Sequence, residues 1–287
     1  MVDQAQNLRE LVWKNRNKAR VIAVTSGKGG VGKTSASVNL AIAIAARGGR
    51  VILLDADLGL ANVEVLMGLS SLYNLEHVIE GERRMADILV RAPGGIEIIP
   101  GSSGLARMAD LPAAARQNLL QGLEDLQRLA DFIVIDTMAG IGRNAVAFAA
   151  AADEVILVAT PEPSAIVDAY AMLKTVYAYR ENAVVRLLVN MVGSDAQARA
   201  VAGKLAGVSQ QYLGRNLSCL GCVPRDPHVS QAVMQSRPFV LIYPNAPATK
   251  YIQAIAGRIV HEQPAAEPAK AGFLKRFAQS LGLAGNG

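Results

Sequence analysis

The chain has 287 residues, 51% of them hydrophobic and 18% charged, a composition typical of one large globular α/β domain or two small ones. No apolar run reaches the ~18–20 residues of a membrane span, and the N-terminus lacks the apolar stretch of a signal peptide. Two cysteines are too few for a disulfide framework, so we expect a cytoplasmic protein. The net charge of +5 is mild: it permits attraction to nucleic acid or to anionic lipid but does not distinguish between them.

The first predicted element is a short helix in a basic N-terminal arm. After Asp3 its apolar residues recur on one helical stripe, which consists of Ala5, Leu8, Leu11 and Val12. We therefore divide the chain into an arm (residues 1–18), a core (19–260) and a tail (261–287). In the plainest interpretation the arm is an ordinary amphipathic helix that packs on the core.

A glycine-rich segment follows the first predicted strand, Val21–Thr25, and precedes a predicted helix, Ser35–Ala46. It fits the phosphate-loop pattern G-x-x-x-x-G-K-[ST]. The predicted phosphate contacts are Gly27, Lys28, Gly29, Gly30, Val31, Gly32, Lys33, Thr34 and Ser35. Backbone N–H groups and the helix N-terminus bind phosphate oxygens, Lys33 reaches the β- and γ-phosphates, and the Thr34 hydroxyl ligates Mg²⁺. Lys28 is not needed for this binding and requires a second explanation.

Apolar, β-rich runs alternate with longer helical patterns along the core. The predicted strands are Val21–Thr25, Val51–Asp55, Ile96–Pro100, Phe132–Asp136, Val155–Ala159, Val185–Asn190 and Leu220–Val223, and predicted helices include Ala113–Leu129, Ser164–Tyr179 and Asp195–Leu205. Several strands are apolar on both faces, as buried parallel strands are. The pattern predicts an α/β fold with a doubly wound, mostly parallel sheet flanked by helices, and ligand loops at the carboxyl ends of the strands.

Carboxylates stand at the ends of two predicted strands. Asp55 and Asp57 follow the second strand, where one can hold a Mg²⁺-bound water and the other can position or deprotonate the attacking water. Asp136 ends the fourth strand and has the form of a Walker B aspartate. Gly140 follows in a loop suited to contact the γ-phosphate.

The pair Cys219 and Cys222 has the spacing C-x-x-C, which occurs in redox, zinc and iron–sulfur sites. One such pair supplies only two ligands, and it falls on the last predicted strand. We therefore expect plain core cysteines, with Cys222 buried.

The tail runs from a Pro/Ala/Glu-rich linker into a short basic amphipathic helix. Its apolar face consists of Phe273, Leu274, Phe277 and Leu281, with Lys275 and Arg276 elsewhere. A tethered helix of this kind predicts an interfacial membrane anchor. The alternative is a terminal helix that docks on its own core.

The segments KGGVGKT, DADLGLAN and IVIDTMAG resemble the deviant-Walker P-loop ATPases (SIMIBI class) typified by MinD and ParA. The resemblance implies that residues 19–260 bind ATP or ADP with Mg²⁺, and that ATP is sandwiched in a homodimer. Lys28 would then cross to the partner's nucleotide as a catalytic cation beside Lys33. By the same resemblance Asp57 orients the water, while Asp55 and Asp136 serve the Mg²⁺ shell with Thr34. The positions matching the family's adenine contacts are Asn190, Pro224, Arg225 and Asp226.

Within that family the chain resembles the branch of flagellar-number regulators called FlhG or FleN. The N-terminal DQAxxLR element carries this likeness, with DADLGLANV and the segment from Glu162 to Tyr170. In the branch, that element contacts the GTPase FlhF and stimulates GTP hydrolysis; the matching residues are Asp3, Gln4, Ala5, Leu8 and Arg9. The tail resembles the membrane-targeting helix of MinD, which implies an anionic membrane surface as a partner. Branch members are also linked to flagellar switch-ring proteins and a flagellar transcriptional activator.

The resemblance predicts a slow, switch-type ATPase that dimerises with ATP, associates reversibly with the inner face of the cell membrane and regulates flagellar number or placement. Three alternatives stay open: a MinD-type division-site regulator, a ParA-type DNA-partition ATPase and an iron–sulfur cluster carrier. Nucleic acid is not expected as a partner, because a basic amphipathic lipid helix has little use in a DNA-partition protein.

Overall fold

The computed structural model describes residues 18–57, 62–102, 111–262 and 272–281. In these ranges the strands are β1 (Arg20–Ser26), β2 (Val51–Ala56), β3 (Val90–Ala92), β4 (Ile96–Ile99), β5 (Phe132–Ala139), β6 (Glu154–Ala159), β7 (Val185–Val192) and β8 (Ser218–Pro224). They form one eight-stranded sheet in the order β3-β4-β2-β5-β1-β6-β7-β8. Every neighbouring pair is parallel except β3 and β4, so the predicted mostly parallel α/β sheet is confirmed.

Helices cover both faces of this sheet. They are α1 (Lys33–Ala45), α2 (Asn62–Met67), α3 (Leu75–Ile79), α4 (Ala113–Leu129), α5 (Arg143–Ala151), α6 (Pro163–Tyr179), α7 (Asp195–Leu213), α8 (Pro227–Met234), α9 (Phe239–Ile242), α10 (Pro247–His261) and α11 (Phe273–Ser280), with a 3₁₀ turn at Met85–Ile88. Side chains of β1 alternate between two apolar clusters, one beneath α1 and α10 and the other beneath α4 to α7. None of the helices in the described ranges is long and apolar enough to cross a bilayer.

All seven predicted strands are present, but one strand and one helix end differ from the prediction. The three-residue β3 was missed because Arg91 interrupts its apolar character and the segment is half-exposed at the sheet edge. Helix α7 continues to Leu213, past the predicted end at Leu205, and stops where Gly214 adopts a left-handed conformation with φ 63°. The sequence beyond Leu205 is rich in Gly, Ser and Gln, so it carries a weak helical signal.

Helix α11 docks on the core. Phe277 is fully buried against α5, where its ring centroid lies 4.6 Å from that of Phe148, and Phe273 and Leu281 are buried beside it. Arg276 Nε donates to the Ala151 carbonyl oxygen at 2.7 Å. The apolar face predicted to enter lipid is therefore covered by protein in this structure. The alternative interpretation of the tail, docking on its own core, describes the observed state.

A buried charge cluster joins the amino ends of three strands. Arg20 and Arg186 pair with the two carboxylate oxygens of Glu154, which has no exposed surface. Arg20 also donates to the carbonyl oxygens of Ile259 (2.6 Å) and Glu262 (3.1 Å). The cluster therefore fastens the end of α10 to the sheet, at the edge opposite the carboxyl ends of the parallel strands.

Candidate functional site

The glycine-rich loop joins β1 to α1 at the carboxyl edge of the sheet. Gly32 is the N-cap of α1, with φ 82°, and no side chain caps this helix N-terminus. A Cβ at Gly27 would lie 1.9 Å from the Asp168 carbonyl oxygen, so α6 packs directly against the loop backbone. The uncapped N–H groups of the first turn of α1 are therefore available to an anion.

A cavity of about 340 Å³ opens over this loop. Of the predicted phosphate contacts, Lys28, Gly29, Gly30, Gly32, Lys33, Thr34 and Ser35 line it. Asp57 and Asn62 also line it. The Val31 side chain is buried in the core below, with 4% exposed, so only its backbone can face a ligand.

Lys33, which lines this cavity, contacts the fully buried Asp136. Lys33 Nζ lies 2.9 Å from Asp136 Oδ1, and Ser37 Oγ donates to the same oxygen at 2.8 Å. The other carboxylate oxygen, Oδ2, is buried and has no hydrogen-bond partner among the described residues. An unsatisfied buried carboxylate oxygen fits a hard cation such as Mg²⁺ or a water bound to it. Sequence reasoning missed Ser37, because nothing in a helical serine indicates that it faces a strand end.

Asp55 stands next to Asp136 in the register of β2 and β5. Its two oxygens accept hydrogen bonds from Asp57 N (3.0 Å) and Val63 N (3.2 Å). Burial, and secondarily the charge of Asp136, raises the pKa of the Asp55 carboxyl to about 7. A cation between these carboxylates would compensate for that repulsion, so the chemistry of Asp55, Asp136 and the half-buried Thr34 fits Mg²⁺.

Asp57 lies at the cavity wall, two residues beyond Asp55. Asn62 Nδ2 donates to Asp57 Oδ2 at 3.0 Å, which fixes the direction of the carboxylate. The intervening residues 58–61 are outside the described ranges. Asp57, oriented by Asn62, therefore lines the same cavity as Lys33.

Lys28 turns away from the loop that contains it. Its Nζ lies 3.0 Å from Glu162 Oε2 and 2.9 Å from Ser164 Oγ, at the N-terminus of α6. The Lys28 side chain is 39% exposed and that of Glu162 is 63% exposed. Solvent therefore screens this ion pair, and the interaction is weak. The structure therefore shows Lys28 at the surface, bound to its own chain.

The predicted adenine contacts converge on a second cavity, of about 590 Å³, beside Gly32 and Ser35. Asn190, Pro224, Arg225 and Asp226 all line it. Asn190 Nδ2 donates to the Val31 carbonyl oxygen at 2.8 Å, and the Asp226 oxygens accept from His228 N and Ala248 N, both at 3.0 Å. The Asn190 and Asp226 side chains thus link the segments that form the walls of this cavity. Its apolar lining was not predicted, because it comes from separate elements: Val223, Val229, Met234, Phe239 and Ile252.

The expectation of two core cysteines is wrong. Cys219 is exposed and Cys222 is only half-buried, because β8 is an edge strand and a bulge at Leu220–Gly221 places both on one face. Burial raises the pKa of both thiols, which does not favour reactive thiolates. Among the described residues there is no group of three or more His, Cys, Asp or Glu side chains that could hold a metal ion.

The predicted partner-binding residues lie outside the described residues. They are Asp3, Gln4, Ala5, Leu8 and Arg9, all before Lys18, where the description begins.

Comparison with known proteins agrees with this geometry. Residues 17–260 match the ParA family profile, described as NUBPL iron-transfer P-loop NTPase. The antiactivator FleN of Pseudomonas aeruginosa is 42% identical over 262 residues, which cover 91% of this chain and 93% of FleN. The flagellum site-determining protein YlxH of Helicobacter pylori is 35% identical and covers 94% of this chain and 93% of its own length.

Among solved structures, the MinC:MinD cell division protein complex of Aquifex aeolicus superimposes with a TM-score of 0.69 at 26% identity, over 88% of this chain and 99% of the other. These similarities agree with the uncapped phosphate-binding loop and with the contact between Lys33 and Asp136. The chain belongs to the MinD/ParA family of P-loop ATPases.

Proposed function

We propose that the protein is an ATP-dependent dimerising switch that regulates flagellar number or placement at the inner face of the cell membrane. The observation that carries the proposal is the second lysine, Lys28, which belongs to the phosphate-binding loop but whose amine bonds to Glu162 and Ser164 of α6 and its N-cap. The similarity to FleN and YlxH supports the flagellar role. Slow hydrolysis suits such a protein, because the lifetime of the ATP-bound dimer sets how long the dimer stays bound to its partners.

The residues of one chain divide the chemistry among them. Lys33 and the N–H groups of the first turn of α1 bind the phosphates, and the apolar cavity beside Asn190 takes the base. Thr34, Asp55 and Asp136 would hold Mg²⁺, which would supply positive charge to the phosphate group. Asp57, oriented by Asn62, positions the attacking water. Lys28 leaves Glu162 and Ser164 to reach the nucleotide of the second copy.

Asp57→Ala tests the assignment of hydrolysis to this carboxylate. We expect ATP binding to persist, because the Lys33–Asp136 contact and the loop are untouched, while turnover falls about a hundredfold through loss of water positioning. The dimer should then accumulate with ATP. Turnover and the sedimentation coefficient measure the two effects, with Asp87→Ala at the exposed 3₁₀ turn as control. Unchanged turnover would exclude Asp57 from the reaction.

The tail connects this switch to the membrane. For the apolar face of α11 to enter lipid, Phe273 and Phe277 must leave α5, so we propose that the docked state is the membrane-free state. One short helix binds lipid marginally, whereas two helices on a dimer bind together and gain avidity. Residues 1–18, 19–260 and 261–287 then serve as arm, ATPase and membrane tether.

Deletion of residues 272–287 should abolish binding to vesicles that contain phosphatidylglycerol while leaving the affinity for ATP unchanged. The reason is that α11 contacts α5 and α4, and neither nucleotide cavity is lined by its residues. Vesicle co-sedimentation with ATP measures the loss, and vesicles of phosphatidylcholine alone provide the control. A truncated chain that sediments as well as the full chain would refute the membrane role of the tail.

The arm completes the proposed function. Its DQAxxLR element supports an interaction with an FlhF-like GTPase, whose hydrolysis it would stimulate. Flagellar switch-ring proteins and a flagellar transcriptional activator are further proposed partners, in agreement with the name antiactivator given to FleN.

A further inference from the structure

A groove lies between α4 and α11, outside the nucleotide site. It has a volume of about 440 Å³ and is lined by Ala113, Arg116, Gln117, Leu120, Gln121, Glu124, Leu274 and Lys275. The α4 residues fall on one helical face, and the half-buried Leu120 and Leu274 give the floor an apolar character. A face of this kind can receive a second amphipathic helix.

The N-terminal arm enters the described structure at the end of this groove. Ala19 N donates to the Gln127 carbonyl oxygen at 2.9 Å, one turn beyond Glu124 on α4. On the other wall, Lys18 Nζ lies 3.8 Å from the position that a Cβ on Gly272 would take, at the start of α11. Residue 18 is thus held between the two helices that form the groove.

We propose that residues 3–13 dock in this groove of their own chain, parallel to α4. From Ala113 to Glu124 the groove is about 16 Å long, and a helix over residues 3–13 has about the same length at ~1.5 Å per residue. Residues 14–17 span the remaining turn between Glu124 and Gln127. The stripe Ala5, Leu8 and Leu11 then faces Leu120 and Leu274.

Charge favours this direction of the arm. The parallel orientation brings Lys14 and Arg16 to Glu124, near the C-terminal end of α4. It brings Asp3 to the N-terminus of α4, where Pro112 offers no side-chain cap and the first turn has no acidic residue. Nearby, Arg116 Nε is buried without a hydrogen-bond partner among the described residues. The reversed orientation would place Asp3 beside Glu124.

Docking would couple the two appendages of the chain. Leu274 and Lys275 of α11 form one wall of the groove, so withdrawal of α11 into lipid removes that wall and releases the arm. The arm would thus become available to a partner only when the protein is on the membrane. This coupling rests on the proposed membrane role of the tail, whereas the docking itself does not.

Cross-linking of the full-length protein tests the docking. In a background of Cys219→Ser and Cys222→Ser, Leu8→Cys is combined with Gln117→Cys, an exposed position in the middle of the groove. The matched control combines Leu8→Cys with Met234→Cys, which is 79% exposed on α8 at the opposite face of the sheet. A short bismaleimide should join residues 8 and 117 within one chain at least about tenfold faster than residues 8 and 234.

Equal rates for the two pairs, or a product that joins two chains, would overturn docking in cis. Leu120→Glu, which places a charge in the groove floor, should reduce the cross-linking rate between residues 8 and 117 to that of the control pair.

The coupling is tested with vesicles that contain phosphatidylglycerol. With ATP and with Leu120 unchanged, these vesicles should also reduce the 8–117 cross-linking rate to that of the control pair. An 8–117 rate that persists on vesicles while the protein sediments with them would refute the coupling. Failure of the protein to sediment refutes the proposed membrane role instead and leaves the docking result standing.

Discussion

Lys28→Ala is expected to bind ATP with near-normal affinity but to lose ATP-dependent dimerisation and most of its turnover. Its amine bonds to Glu162 and Ser164 of α6 and its N-cap, so we expect nucleotide binding by the resting pocket not to depend on it. A cation supplied in trans to a transferring phosphoryl group contributes roughly a thousandfold to a hundred-thousandfold, so we expect a loss of about a thousandfold or more. Equilibrium binding of a fluorescent ATP analogue, sedimentation and phosphate release measure the three properties.

Two further lysine variants serve as references for Lys28→Ala. Lys33→Ala should lose nucleotide binding itself, because Lys33 lies inside the pocket against Asp136. Lys204→Ala, an exposed lysine of α7, should behave as the unsubstituted chain. A Lys28→Ala protein that dimerises and hydrolyses ATP normally would refute the proposed role of this lysine in trans. The second lysine of the loop would then have no explanation.

Glu154→Ala is expected to lower the free energy of unfolding by about 3–5 kcal/mol. Glu154 is fully buried between Arg20 and Arg186, and its removal leaves two guanidinium groups near each other without their shared carboxylate. The change should also loosen the end of α10, because Arg20 holds the carbonyl oxygens of Ile259 and Glu262. Urea unfolding followed by circular dichroism measures the loss.

The control for this cluster is Glu181→Ala, which removes the partner of Arg215 at the surface, where the glutamate is 79% exposed. A surface pair of this kind contributes about 0–1 kcal/mol, so the two variants should differ by at least ~2 kcal/mol. If Glu154→Ala costs no more than Glu181→Ala, the cluster does not stabilise the fold.

The sheet could be predicted because buried parallel strands carry continuous apolar runs. Phe132–Ile135 and Val155–Val158 are almost fully buried on both faces, and such runs leave little ambiguity. The edge strand β3 has no such run and was missed. Helix α11 was predicted as an amphipathic helix, but its apolar stripe does not reveal whether lipid or protein covers it, since both offer an apolar surface.

The site was predictable only where its parts lie in one motif or at a strand end. The loop and the three aspartates have local patterns, whereas the contacts that orient them join distant parts of the chain. Ser37 reaches Asp136 across 99 residues, and Lys28 reaches Glu162 across 134. No local pattern encodes such contacts, because the packing of α1 and α6 on the sheet creates them.

The chain enters the sheet at its amino edge, and the end of α10 returns to the same edge. Arg20 begins β1 there and holds the residues that close α10, while Asp153, just before β6, pairs with Arg276 of the tail at 2.6 Å. The two cavities proposed to bind the nucleotide open at the other edge. If two copies meet face to face over their nucleotides, as proposed, the amino edges to which the arm and the tail connect lie on the far sides of the pair. Self-association and the recruitment of other molecules therefore need not compete for the same surface.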